Sequence, residues 1–223
     1  MVKEHIDTIE LLMARCVAGS LPEPAQVLVQ SHLALKNDNR AYVRDLEAMA
    51  GLALDEIEPA SFSDGERDQA LQAIFGSQSP ADSPIRLSPS PAADEKPDAI
   101  FPKVLRDYVG FDADQVPWRS KMPGFREYDL GERDGCFVSL FWIKPGRMVP
   151  AHTHEGCEIS LVLDGAFSDQ NGRFGRGDIS VADDTIDHRP MAEKGRPCIG
   201  FAVTDAPLKL TGSFHQMIRD LIG

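Results

Sequence analysis

The stretch Gly146-Arg-Met-Val-Pro-Ala-His152-Thr-His154-Glu-Gly-Cys-Glu158-Ile-Ser-Leu-Val-Leu-Asp-Gly165 decides how this chain is read. Its second half, from Glu158 to Leu163, is a short aliphatic run closed by Asp164-Gly165, the pattern of a strand that ends in a turn. On extended backbone, side chains alternate between two faces. Positions 152, 154 and 158 share parity, so two imidazoles and one carboxylate can point the same way. A fourth ligand would come from a neighbouring strand, and His188, eleven residues after Gly177, is the best placed. Three imidazoles and one carboxylate suit zinc, iron, manganese or nickel. An isolated H-x-H pair is common by chance and reads more simply as two loop histidines. Here the flanking glycines, the glutamate and the distant histidine agree on one site.

The surroundings of this stretch have β character. Cys136-Phe-Val-Ser-Leu-Phe-Trp-Ile143 is a second strand-like run, Leu208–Leu210 a candidate last strand, and Gly and Pro punctuate the intervals. Many short strands with turn residues between them indicate an antiparallel sandwich or barrel. Residues Phe214 to Ile222 can form a closing helix. Upstream the period changes. From Ser77 to Asp98 the chain is rich in Ser, Pro, Ala and Asp, with five prolines and no apolar period, and reads as a linker. It separates residues 1–76 from a second domain at 99–223. The first part reads as four helices. Asp7 or Thr8 caps a stripe of Ile9, Leu12, Met13, Cys16 and Val17 that stops at Gly19. Pro22 or Pro24 opens the second helix, a third runs from about Arg40 to Asp55, and Ser63-x-x-Glu66 resembles a capping box before the fourth. Such helices form a small bundle, or a bundle that stays incomplete until a partner covers it.

Composition sets the limits. Of 223 residues 26% are charged and the net charge is -12, with no basic face of the kind that nucleic-acid binding requires. Residues 1–76 alone carry 6 basic and 13 acidic side chains, a balance suited to a basic protein partner or simply to solubility. No apolar run approaches the roughly 20 residues of a membrane span. The opening MVKEHIDTIELL has acids where a secretory signal would be basic. The four cysteines, Cys16, Cys136, Cys157 and Cys198, form no C-x-x-C pair. Reduced thiols and a cytoplasmic location are expected. Cys16, Cys157 and Cys198 read first as small buried hydrophobes, and Trp118 and Trp142 as packing residues.

The pattern G-x5-H-x-H-x3-E-x6-G is the first cupin motif, and every fixed position is present from Gly146 to Gly165. The second motif is degenerate: Gly177 and His188 are correctly spaced, but Asp183, Thr185 and Ala192 replace the usual Pro, Gly and Asn. The resemblance implies an all-β double-stranded β-helix barrel with the metal inside its mouth. Asp107-Tyr-Val-Gly110, Val116-Pro-Trp118, Gly165-Ala-Phe-Ser-Asp169, Arg173-Phe-Gly-Arg-Gly-Asp178 and Thr204-Asp-Ala-Pro-Leu208 look like the cupin domain of ChrR-type anti-sigma factors. The all-α N-terminal segment then looks like the anti-sigma domain of that family. The resemblance implies that residues 1–76 hold an extracytoplasmic-function (ECF) sigma factor inactive. It also implies that the cupin is needed for release under oxidative stress, with zinc as the metal of both domains.

This chain departs from the family at one site. Zinc-binding anti-sigma domains have H-x3-C-x2-C with a further His upstream, and here that stretch is His32-Leu-Ala-Leu-Lys36-Asn-Asp-Asn39. An ammonium and an amide replace two thiolates, and both are poor zinc ligands. His5 and His32 alone would leave half a site, so no zinc is expected in the N-terminal domain. One divalent metal is expected in the cupin, held by His152, His154, Glu158 and His188, with zinc first and iron, manganese or nickel as the other candidates. The leading function is a regulatory anti-sigma factor, not an enzyme, with no catalytic residues named. The alternative is a cupin metalloenzyme of the dioxygenase or isomerase type, with the helices as a docking or oligomerisation element. In either reading a homo-oligomer through the cupin is a further candidate assembly.

Overall fold

The computed structural model describes residues 8–76, 98–150, 152–154, 156–183, 188–206 and 208–210, without the side chains of 64, 152–154 and 208–210. The linker (apart from Asp98), His5 and the expected closing helix at 214–222 lie outside the described residues.

The N-terminal part is helical as its periodicity predicts. Helix α1 (Ile9–Val17) is capped by Thr8, whose hydroxyl accepts the Leu11 N–H at 3.2 Å. Helix α2 (Glu23–Leu35) follows Pro22, and α3 (Arg40–Asp55) follows Asn39. Helix α4 (Asp64–Gly76) opens on the expected capping box, with Ser63 N–H donating to Glu66 Oε2 at 3.1 Å and Glu66 N–H to Ser63 Oγ at 3.4 Å. A fifth helix, α5 (Lys103–Val109), was not expected; Pro102 starts it and Gly110, at φ +91, ends it. It packs on α2.

Among the described residues eleven strands follow in chain order: β1 (Arg119–Met122), β2 (Phe125–Arg133), β3 (Cys136–Ile143), β4 (His152–His154), β5 (Glu158–Asp164), β6 (Ala166–Asp169), β7 (Gly172–Gly175), β8 (Ile179–Ala182), β9 (Met191–Ala192), β10 (Cys198–Thr204) and β11 (Leu208–Leu210). They form a six-stranded sheet ordered β1-β2-β3-β10-β5-β8, a three-stranded sheet β7-β6-β9 and the pair β11-β4, with every pairing antiparallel. This is the sheet architecture expected of a cupin.

The large sheet is covered on both faces, which explains why β5 and β10 are apolar almost throughout. Ile159, Leu161 and Leu163 of β5, with Phe201 and Val203 of β10, share a core with Leu12, Met13, Leu28 and Val29 of the helices and with Phe101 and Leu105. The alternate residues turn inward: Val162 and Cys198 pack with Ile143, Val149, Phe167 and Ala192 between the sheets. One sheet therefore carries the helical segment on its outside and the barrel interior on its inside. Leu28 alone, wholly buried, contributes on the order of 2 kcal/mol of transfer free energy.

Only part of the helical segment joins this core. Helix α2 buries seven residues, α3 buries Val43 alone, and every side chain described on α4 is exposed. Of the two packing outcomes the sequence allowed, the chain takes the incomplete bundle.

Candidate metal centre

The inward residues of the large sheet line a cavity of about 260 Å³ in the barrel. Its walls are mostly apolar, from Phe125, Phe137, Phe141, Val149 and Phe167. Into it come the polar groups of Glu127, Asp129, Glu158, Ser160, Ser180, Thr204 and His188. Glu158 and Ser160 alternate onto the inner face of β5, while His152 and His154 stand on a separate strand, β4, in another sheet. Two of the four expected ligands, Glu158 and His188, thus share one cavity although thirty positions separate them. Strand β4, with His152 and His154, lies between Val149 and Glu158, both of which line that cavity, and pairs with β11 in the register His152 to Leu210 and His154 to Leu208. The imidazoles of His152 and His154 are outside the described residues. Among the described side chains, no three His, Cys, Asp or Glu groups form an ion-holding set.

Three residues without an assigned role in the sequence reading support this site. Asp169 is fully buried behind His188, its Oδ2 3.4 Å from the imidazole Nδ1. Burial opposes charge on that carboxyl, but the nearby His188 and the backbone N–H groups of Asn171 and Gly172 outweigh it and hold the group below the usual carboxylate range. A carboxylate behind a ring nitrogen fixes the orientation of an imidazole, as behind metal-ligating histidines in general. Ser160 donates its hydroxyl proton to Glu158 Oε1 at 2.5 Å. Asp205 accepts the Cys157 N–H at 2.6 Å and donates its own N–H to the Cys157 carbonyl at 3.1 Å, which fixes the turn before Glu158. A Cβ on Gly156 would lie 1.8 Å from Asp205 Oδ1, so only glycine fits there. Ser160 lies two positions from Glu158 on the same strand, where alternation along β5 brings the two side chains together, but no local pattern marks Asp169 or Asp205, whose bonds join distant parts of the chain.

The donor chemistry fits a divalent ion. Carboxylate and imidazole converge on one cavity, and each is braced from behind. The thiols do not contribute. Cys198 is fully buried in the barrel interior, and burial pushes its pKa up to about 12. Burial also raises the pKa of Cys16 and Cys136. Cys157 packs against the outer core, on the side of the sheet away from the cavity.

The stretch from His32 to Asn39, which the resemblance matches to a zinc-binding motif, has a different form here. His32 is buried, and its Nδ1 donates to the Gly177 carbonyl at 2.6 Å while its Nε2 accepts from Asn39 Nδ2 at 3.0 Å. Lys36 Nζ is paired with Asp178 and lies 3.4 Å from Asp38. These residues do not fit a metal. Both imidazole nitrogens are engaged, and the two positions that would carry thiolates hold an ammonium and an amide.

Comparison with known proteins agrees with this architecture. The family model for the ChrR cupin-like domain matches residues 107–206. Over 218 residues the chain is 35% identical to the anti-sigma-E factor ChrR of Cereibacter sphaeroides, covering 98% of this chain and 97% of that protein. The chain belongs to the ChrR family of anti-sigma factors. In the crystal structure of Rhodobacter sphaeroides SigE in complex with the anti-sigma ChrR, one chain superposes with a TM-score of 0.69 at 34% identity, covering 91% of this chain and 99% of that one. The ChrR resemblance therefore extends through the helical segment as well as the barrel.

Proposed function

We propose that this ChrR-family chain is a regulatory anti-sigma factor that binds an ECF-type sigma factor through α3 and α4, with the cupin as its metal-bound sensing or release module. The observation that carries this is the uncovered apolar surface. Tyr42, Met49, Leu52, Leu54, Ile57, Phe62, Leu71, Ile74 and Phe75 are all exposed, Phe75 by 82%. A monomer rarely leaves this many large apolar side chains exposed within one short segment without a partner. Residues 40–76 also carry 8 acidic and 3 basic side chains, so the surface suits a partner that is apolar and basic. No described helix is long and apolar enough to cross a membrane, and a cytoplasmic location fits such a partner.

In the cupin, His152, His154, Glu158 and His188 would hold the ion, zinc in the first instance. When bound, the ion supplies a cross-link between β4, β5 and the segment that carries His188. The chain prepares for it by aiming His188 from Asp169, holding Glu158 from Ser160 and fixing the turn before Glu158 from Asp205.

Co-expression with an ECF sigma factor is the test. A complex stable at micromolar concentration is expected, and failure to recover one would overturn the reading. Elemental analysis should give about one zinc per chain, and nearly none in the His152→Ala/His154→Ala variant. Redox-active iron at full occupancy would favour the metalloenzyme instead.

A further inference from the structure

We infer that this chain has replaced the metal of its helical domain with a metal-free polar lock whose other half belongs to the cupin, so that α2 is held by the Gly175–Asp178 turn. A metal bound by His5, His32 and positions 36 and 39 would tie the helical segment only to itself. The groups that now stand at 32 and 36 reach across to the barrel. His32 donates to the carbonyl of Gly177, 145 positions away, and Lys36 pairs with Asp178, 142 positions away. Asn39, at the second thiolate position, holds the imidazole by its remaining nitrogen.

The turn is built to receive them. Gly177 has φ +85, and a Cβ there would lie 2.7 Å from Lys36 Cγ and 3.2 Å from Leu35 Cβ, so the end of α2 rests directly on the turn backbone. Asp178 uses its second oxygen, Oδ2, to accept the Gly175 N–H at 2.7 Å. Gly177 N–H donates to the Val162 carbonyl at 2.7 Å, and Val162 N–H to the Asp178 carbonyl at 3.0 Å. Val162 is on β5, the strand that begins at Glu158. The lock therefore joins α2 to the backbone of the strand that carries two of the cavity's polar groups, Glu158 and Ser160. It contains no thiol to oxidise and no ion to chelate. The polar part of the hold on α2, beside its packing in the core, depends on the cupin turn.

Hydrogen exchange of the full chain tests this, because it reports opening segment by segment. Lys36→Met keeps the aliphatic stem and removes the charge; Asp178→Asn removes the charge from the other half. Each single variant should speed exchange in both 25–35 and 172–180, by roughly 3- to 30-fold. The double variant should add little beyond the larger single effect, since the two residues form one pair. Acceleration confined to the half that carries the substitution, or effects that simply add, would overturn the lock. Should Lys36→Met fail to fold, Asp178→Asn on the turn gives the same cross-domain readout alone. In the His152→Ala/His154→Ala background, a chelator should leave exchange in α1 to α3 unchanged. Metal retained by that variant and required for α1 to α3 protection would equally overturn it. Neither readout uses a sigma factor, so failure of the lock and failure of sigma binding are distinguishable.

Discussion

Helices α2 and α4 are each thirteen residues long, and the structure treats them in opposite ways. Helix α2 places Ala25, Val27, Leu28, Val29 and His32 in the core. Helix α4 leaves Leu71, Ile74 and Phe75 in solvent. Both stretches contain enough apolar residues to bury a face, so helix formation and helix burial are separate questions. The cupin sheet answers the second for α2, and nothing among the described residues answers it for α4. Truncation should separate the two most strongly. Leu28→Ala removes a wholly buried side chain and should cost about 2–5 kcal/mol in chemical unfolding. Leu71→Ala, at 42% exposure, should stay within about 0.5 kcal/mol. A large loss from Leu71→Ala would mean that α4 packs on this chain after all.

The converse holds for partner binding. Leu52 and Phe75 are exposed by 67% and 82%, and they serve the free protein little. The Leu52→Asp/Phe75→Asp variant should unfold as the parent does but bind a sigma factor roughly 100-fold more weakly, the scale of two interface anchors lost together. Calorimetric titration against the parent reads this directly. Equal affinity would move the interface off α3 and α4.

Much of this division was visible in the residues. The stripe Ile9, Leu12, Met13, Cys16 and Val17, the Thr8 cap and the Ser63-x-x-Glu66 box are local features, and local features place helices well. The shared parity of 152, 154 and 158 presumes one extended run, whereas β4 and β5 are separate strands in different sheets; alternation within β5 alone is what brings Glu158 and Ser160 to its inner face. Helix α5 was missed although Pro102 and Gly110 bracket it, since seven residues give too short a period to stand out. The partners of the site were not legible. Asp169 behind His188, Asp205 under Gly156 and Asp178 opposite Lys36 all meet through tertiary contacts, which no spacing rule encodes. Lys36 illustrates the limit. The sequence shows that it cannot serve as a thiolate, and only the fold shows that it has an acid to pair with.

The smallest expected effect concerns His32, the buried member of the segment that differs from the cupin site. Burial lowers its pKa below the ordinary histidine value, and this outweighs the opposing pull of the Gly177 carbonyl. The charged groups around it are Lys36, which disfavours the imidazolium, and Asp178 and Asp38, which favour it. In the unfolded chain the ring takes up a proton near pH 6.5, at about the model-peptide value. In the folded chain it does so only at lower pH. Between those two values the unfolded state binds more protons, so stability falls as pH falls. The contribution is fully present above the unfolded value and is lost on going down toward the folded one. One proton limits the slope to about 1.4 kcal/mol per pH unit. Carboxylates titrate mostly below pH 5, so unfolding measured from pH 7 to 5 isolates histidines. Subtracting the profile of His32→Gln from that of the parent leaves His32 alone. A difference that rises with acidity instead would mean that the imidazolium is the bound form, and that the neutral ring held between Asn39 and Gly177 is assigned the wrong way round.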